Sequence, residues 1–212
     1  MRLVLASNNA RKLAELGAML GGLKVQIVTQ GELGITEAAE PHCTFIENGL
    51  AKARHAAAAA NGPAIADDSG LCVAAMDGEP GVNSAHFASV ALPHTRKGDR
   101  EARRQVQDAA NNAMLLQRLH GAADRSAQFV STLVAVRHAD DPEPLVACGR
   151  WSGTVVEQAQ GEGGFGYDPL LFIPDLGMTA AQLPVDVKNV HSHRARAAAQ
   201  MIKLLRARWH LG

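Results

Sequence analysis

Ala66-Asp67-Asp68-Ser69-Gly70 places two adjacent carboxylates, a hydroxyl and a glycine directly after the apolar run Pro63-Ala64-Ile65. An apolar run of strand length delivers its last residues to the edge of a sheet, where open α/β folds bind their ligands, so the segment reads as a catalytic strand end. Two carboxylates there repel each other unless a cation sits between them, and hard divalent ions such as Mg2+ prefer carboxylate oxygen. A carboxylate beside a metal-bound phosphate can also take a proton from water. The same string is turn chemistry, and a solvated turn is the alternative reading. Asp140-Asp141-Pro142-Glu143-Pro144 illustrates that alternative, because it reads as the solvated turn of a hairpin.

Four further clusters carry groups that could do chemistry. Ser7-Asn8-Asn9-Ala10-Arg11-Lys12 opens a helix, where exposed N–H groups and a first-turn lysine make a phosphate cradle. An ordinary cap by Asn8 or Asn9 is the competing explanation. Asn48 and Lys52 lie one helical turn apart, so both can reach into a cleft or both can belong to a solvated face. Gly161-Glu162-Gly163-Gly164-Phe165-Gly166 spells the dinucleotide fingerprint, yet that fingerprint must open a helix and Pro169 and Pro174 forbid one. What remains is a glycine-rich loop presenting Phe165 and Tyr167 to a base or sugar. The last cluster holds Lys188, His191, Ser192, His193 and Arg194. Its two histidines could ligate a metal or simply face water, and its donors suit carbonyl oxygens on a ligand.

These groups need a scaffold of alternating elements, and the chain supplies the pattern. Strands are expected over Leu3 to Ala6 and Lys24 to Val28, and a helix over Ala10 to Leu20, where Leu13, Leu16 and Leu20 recur at helical spacing. Thr44-Phe45-Ile46-Glu47 is a capping box for a helix running to about Ala60, stopped by Asn61-Gly62-Pro63. A long charged helix is expected over Lys97 to His120, long strands over Ala127 to Arg137 and Leu145 to Val156, and a terminal helix over Ala195 to Trp209.

Composition excludes several partners. Of 212 residues 47% are hydrophobic, enough for a full core, and 21 basic side chains balance 21 acidic ones, so no global charge advertises a nucleic acid or a membrane. Any polyanion bound must therefore be small. Met1 to Asn8 turns polar too soon for a signal-peptide core and no apolar run reaches spanning length, which predicts a soluble, cytoplasmic protein. Cys43, Cys72 and Cys148 are odd in number and widely spaced, predicting reduced, partly buried thiols rather than disulfides or a zinc site.

Taken together, the segments at Ser7 to Lys12, Thr44 to Asn48, Asp67 to Leu71, Gly164 to Pro169 and Ser192 to Arg194 occur in an order and spacing that resembles the inosine triphosphate pyrophosphatase family over nearly the whole chain. Gly78-Glu79-Pro80-Gly81-Val82-Asn83-Ser84-Ala85 adds another matching stretch. His86, Phe87 and Ser89 stand where the family more often has Arg, Tyr and Gly, Gly49 where it has Ala, and Pro41-His42 where it has Thr-Gly. None of these touches the acidic core.

The resemblance implies an α/β fold: an elongated mixed sheet flanked by helices, two lobes with a central substrate cleft, one functional domain over 1–212, and a homodimer. It also implies hydrolysis of ITP, dITP or XTP to the monophosphate and pyrophosphate with Mg2+. Carried over to this sequence, Asp68 matches the general base and Glu40 with Asp68 the metal ligands. Ser7, Asn8, Asn9, Ala10, Arg11 and Lys12 match the triphosphate grip; Ser69, Phe165, Gly166, Tyr167, Asp168, Lys188, His193 and Arg194 match the substrate contacts. Read from their chemistry, Lys12 and Lys52 can stabilise charge on phosphate oxygens while Asp68 deprotonates water, and Asp67 is assigned to the metal or its support. Two other classes remain at this stage: a nucleotide sensor without turnover, and a phosphohydrolase with an aspartyl nucleophile. The second wants an Asp-x-Asp spacing at the first strand end, where Ser7-Asn8-Asn9 stands instead.

Overall fold

A computed structural model of the chain describes residues 1–90 and 100–211. Seven strands form one sheet in the order β2-β1-β3-β4-β5-β6-β7. The strands are β1 (Arg2–Leu5), β2 (Gln26–Thr29), β3 (Ala64–Val73), β4 (Ser126–Val136), β5 (Leu145–Val155), β6 (Leu171–Ile173) and β7 (Met178–Thr179). Helices α1 (Ala10–Leu20), α2 (Phe45–Ala60), α3 (Arg100–Arg118), α4 (Val185–His191) and α5 (His193–Trp209) flank it. β1 runs parallel to β2 and β3, whereas β5-β6 and β6-β7 are antiparallel, so the sheet is mixed as expected.

The chain divides into two compact units: Met1–Ser69, Val130–Arg150 and Asn189–Gly212 make up unit 1, and Gly70–Phe129 and Trp151–Lys188 make up unit 2. Unit 1 is built by strand alternation. Leu3, Leu5, Ile65, Leu133 and Ala135 share a cluster with Leu16 and Leu20 of α1 and Ala197, Met201 and Leu205 of α5. Their immediate neighbours Val4, Ala6, Ala64, Ala66, Val134 and Val136 cluster instead with Ala53, Ala56 and Ala57 of α2. Successive residues of a strand point to opposite faces, so one face of the sheet receives α1 and α5 and the other receives α2. In unit 2, Leu115 of α3 and Leu119 just beyond it join a core of Leu71, Phe129, Trp151, Tyr167, Leu170 and Leu171.

The ends of α2 follow its sequence. Thr44 accepts a hydrogen bond from the Glu47 N–H at 3.2 Å and its hydroxyl donates to the Glu47 carboxylate at 2.6 Å. Asn61 closes the helix at φ 47°, a left-handed conformation asparagine tolerates. α5 starts two residues before the expected Ala195, because Ser192 caps it by accepting from the Ala195 N–H. The expectation of a helix from Lys97 lies outside the described residues as far as residue 99; the described helix begins at Arg100.

Three expectations are corrected here. Asp67 and Asp68 do not end a strand; they sit inside the ten-residue β3. The strand that ends beside them is β1, whose Leu5 pairs with Ile65. The Asp140-Asp141 turn joins β4 to β5 as foreseen, but Asp141 is fully buried rather than solvated, accepting from the Arg137 and Glu143 N–H groups and pairing with the Arg137 guanidinium at 2.9 Å. Cys43 is exposed, while Cys72 and Cys148 are half-buried. The stretch after Gly166 passes through a turn into β6, with no helix at the fingerprint, as Pro169 and Pro174 require. Among the described residues no helix is long and apolar enough to cross a membrane.

Candidate active site

Alternation along β3 sends the two aspartates to opposite faces. Asp67 follows Ile65 toward α1 and α5; Asp68 follows Ala66 toward α2. The expected repulsion is therefore relieved by giving each carboxylate its own cations.

The Asp67 side chain is fully buried. Its Oδ1 accepts from Ser131 Oγ at 2.6 Å, and its Oδ2 accepts from Ser69 Oγ at 3.0 Å and pairs with Lys12 Nζ at 3.0 Å and Arg194 Nη2 at 3.4 Å. Burial alone would raise its pKa, but Lys12, Arg194 and the Ser131 hydroxyl outweigh it and hold the carboxyl far below its usual range. Arg194, itself 1% exposed, also pairs with Glu15 of α1 and donates to Ser69 Oγ at 3.0 Å. α1 delivers Lys12 because Asn9 caps it, its carboxamide accepting from the Arg11 and Lys12 N–H groups. Those two N–H groups are the donors a phosphate would otherwise use, so the cap and the ammonium divide the work at this helix start. Ser7 Oγ in turn accepts from the Asn9 N–H at 3.2 Å. α5 delivers Arg194 by lying directly on β5: a Cβ on Gly149 would come within 2.0 Å of the His193 carbonyl oxygen, so no other residue fits there.

Asp68 is arranged differently. Its Oδ1 pairs with Lys52 Nζ at 2.7 Å, and the same ammonium pairs with Glu40 Oε2 at 2.9 Å. Oδ2 of Asp68 is buried and has no hydrogen-bond partner among the described residues. Burial is the largest influence on this carboxyl and, with the neighbouring Glu40 charge, pushes its pKa up to about 6 against the pull of Lys52 and Lys12. Glu40 is lowered, since Lys52 outweighs its desolvation, and Lys52 is raised, since Asp68 and Glu40 outweigh the cost of its own burial. Lys12 is lowered, first by burial and then by the like charges of Lys52 and Arg194. Among the described residues no group of three or more His, Cys, Asp or Glu side chains is gathered to hold a metal. The orphaned Oδ2 beside the half-exposed Glu40 carboxylate nevertheless suits a hard cation that takes its remaining ligands from water and phosphate.

Unit 2 holds a separate cluster. Lys188 Nζ pairs with Asp168 Oδ2 at 2.6 Å and stands 4.9 Å from the centroid of the Phe165 ring. Asp168 Oδ2 also accepts from the Phe165 N–H at 2.7 Å. Gly164, at φ +72°, permits this closure, because a Cβ there would lie 2.0 Å from Asp168 Oδ2. α3 grips the two peptides that flank Gly166: the Gly166 N–H donates to Asp108 at 3.0 Å and Asn112 Nδ2 donates to the Gly166 carbonyl at 3.0 Å. Tyr167 is not presented as foreseen; it is 4% exposed, donates to the Ser84 carbonyl at 2.9 Å, and its phenol is pushed up by burial.

A model of the Ham1 family matches residues 3–204. The chain belongs to the Ham1 family. Its sequence is 64% identical over 209 residues to a dITP/XTP pyrophosphatase of Methylibium petroleiphilum, covering 99% of both chains. It is also 64% identical over 211 residues to a dITP/XTP pyrophosphatase of Leptothrix cholodnii, covering both chains completely. In three dimensions it resembles the HAM1 protein of Coxiella burnetii with a TM-score of 0.85 at 36% identity, covering 98% of this chain and 99% of that one.

For this Ham1 chain, then, the structure gathers Lys12, Lys52, Glu40, Asp67, Asp68, Ser69 and Arg194 in unit 1, and Phe165, Gly166, Asp168 and Lys188 in unit 2. His193 is buried at the start of α5. Sequence reasoning missed Glu15, Ser131, Asp108 and Asn112. Glu15 had a signal, since it lies three residues after Lys12 and so shares its helix face; Asp108 and Asn112 had one in their four-residue spacing. Ser131, inside an apolar strand, had none.

Proposed function

We propose that this protein hydrolyses non-standard purine nucleoside triphosphates, ITP, dITP and XTP, to the monophosphate and pyrophosphate, as a Mg2+-dependent cytoplasmic homodimer in which both units serve one catalytic domain. The observation that carries the reading is Asp68: a buried carboxylate anchored through Oδ1 to Lys52 while Oδ2 has no donor. Without a metal, burial pushes this carboxyl up to about 6, the direction that favours its taking a proton from water. The names of the relatives support the substrate class.

Glu40 and Asp68 would hold Mg2+, which when bound supplies charge neutralisation on the phosphate oxygens and polarises water. Asp68 accepts the proton of the water that attacks the α-phosphorus. Lys12 and Lys52 stabilise the negative charge that develops on the phosphate oxygens, and they do so in a partly buried site where such charges count for more than in water. Asp67 keeps Lys12 and Arg194 charged and in place when no phosphate is bound. In unit 2, the Phe165 ring offers a stacking surface and Lys188 a donor beside it, which suits the 6-oxo group of hypoxanthine or xanthine and leaves the 6-amino group of adenine facing a donor.

The test is turnover of ITP with Mg2+ in the absence of inorganic pyrophosphatase, with products separated by anion exchange. IMP and pyrophosphate should appear in equal amounts, and ATP should be used about four orders of magnitude less efficiently, as expected where a buried hydrogen bond is lost. IDP with orthophosphate, or comparable kcat/KM for ITP and ATP, overturns the reading.

A further inference from the structure

Glu40 lies in a stretch, residues 36–42, that has no helix or strand and is exposed or half-exposed at every position. Its apolar residues Ala38, Ala39 and Pro41 are not buried, and such a segment opens readily unless polar contacts hold it. Three α2 side chains, all on one stripe of the helix, make four such contacts with it. Asn48 accepts from the His42 N–H at 3.0 Å and donates to the His42 carbonyl at 3.1 Å. One turn on, Lys52 Nζ meets Glu40 Oε2 at 2.9 Å. A further turn on, His55 Nε2 donates to the Thr36 carbonyl at 3.0 Å, which fixes the Nε2–H tautomer. Residues 48, 52 and 55 follow the i, i+4, i+7 spacing of a single helix face. Their partners 42, 40 and 36 run in the opposite chain direction, so the irregular segment is laid antiparallel along the helix as a ladder.

From this we infer that Asn48 and His55 are positioning residues that hold Glu40 beside Asp68, and that the outer two rungs of the α2 ladder set the affinity of the site for its divalent cation. The middle rung, Lys52, belongs to the chemistry and cannot fix the segment alone, because a single flexible ammonium leaves the backbone free to pivot. Asn48, 2% exposed, grips both backbone polar groups of His42, and so the two peptides that flank its Cα, and removes that freedom on the side nearer the helix start. His55 removes it on the other. The inference rests on the assignment of Glu40 as a metal ligand.

The experiment uses Mn2+ alone, without nucleotide, on the full chain, with the free ion counted by its electron paramagnetic resonance signal; Mn2+ shares the oxygen preference of Mg2+. Asn48→Ala should raise the Mn2+ dissociation constant roughly tenfold or more, in the range found when residues that orient metal ligands are removed. His55→Ala should raise it less, and His55→Gln, whose amide can still donate to the Thr36 carbonyl, should restore it. Amide exchange over residues 37–42 should quicken in both alanine variants while β3 stays protected. If Asn48→Ala does not fold, the two His55 variants, altered at an exposed rung, carry the test. Unchanged Mn2+ affinity in the alanine variants, with Glu40→Gln weakened, overturns the ladder and spares the Glu40 assignment. Glu40→Gln with wild-type affinity, or a wild type that takes up no Mn2+, defeats the assignment and the inference with it.

Discussion

Two neighbouring residues of β3 share a charge and a backbone and have opposite surroundings. On the α1 and α5 face, every oxygen of Asp67 is engaged, by two hydroxyls and two cations, and the carboxyl stays ionised far below its usual range. On the α2 face, Asp68 has one oxygen engaged and one orphaned, and its carboxyl is pushed up to about 6. The first arrangement is that of an organiser, and the second is that of the base proposed above. A carboxylate that is fully satisfied has no lone pair left for water or metal, whereas one held in place but incompletely satisfied keeps its strongest interaction in reserve for the ligand.

The contrast is broken most forcefully at Asp67. Asp67→Asn leaves Lys12 and Arg194 buried without their shared anion, and removing one partner of a buried ion pair costs about 3–5 kcal/mol. Urea denaturation should show that loss. A midpoint close to wild type would mean that Glu15 and Ser69 suffice for Arg194 and that Asp67 is not the organiser. The counterpart is Asp68→Asn, which keeps the shape but removes the proposed base: kcat should fall at least about a hundredfold with the fold intact by circular dichroism. Turnover within a few-fold of wild type would remove Asp68 from the chemistry.

Both acids stood out in the sequence, Asp68 as the expected base and metal ligand and Asp67 as the metal or its support, but their opposite surroundings were not legible there. Adjacent residues in a strand must face opposite ways, a rule available as soon as β3 is known to run on to Val73. The apolar run Pro63-Ala64-Ile65 stops short of the acids, so pattern alone made them the strand end; buried ion pairs carry the strand further, and these form only once α1, α2 and α5 are in place. Helices α1 and α2 were readable because their caps lie in adjacent residues, Asn9 and Thr44. β6, β7 and α4 are two to seven residues long, too short for any periodic signal. Glu40 stands in an exposed, irregular segment, where nothing local marks an acid as a ligand. The loop at Phe165 was recognisable from its glycines, yet the burial of Tyr167 depends on Ser84, 83 residues earlier.

A smaller change sharpens the Asp67 side of the comparison. Ser131→Ala deletes one hydroxyl bond to the buried carboxylate and should cost about 2 kcal/mol, the usual range for a hydrogen bond to a charged group. If Asp67 is purely organising, kcat for ITP should stay within about twofold of wild type, since Lys12 and Arg194 still hold the carboxylate. A kcat loss matching that of Asp68→Asn would make Asp67 part of the chemistry.

The smallest effect is a pH-dependent one, and it separates the two acids by sign. Asp67, lowered on folding, contributes stability that is present above the unfolded pKa of about 3.9 and is lost as pH falls below it. Asp68, raised on folding, does the reverse: between about 4 and about 6 the native state binds the proton that the unfolded chain releases, so stability falls as pH rises through that window. Asp68→Asn cannot release that proton. In EDTA, the variant and wild type should therefore be equally stable near pH 4, and the variant should draw ahead up to about pH 6 and stay ahead above it. A rise from the ordinary 3.8 to about 6 bounds the gain at about 3 kcal/mol, and with Glu40 half-exposed and solvent screening the pair, the measured plateau should lie nearer 1 kcal/mol. Added Mg2+ should stabilise the wild type and close the gap, because only the ionised carboxylate binds the metal. A variant less stable than wild type at pH 8 in EDTA would show that the Lys52 pair outweighs burial, and Asp68 would then be a satisfied acid like its neighbour.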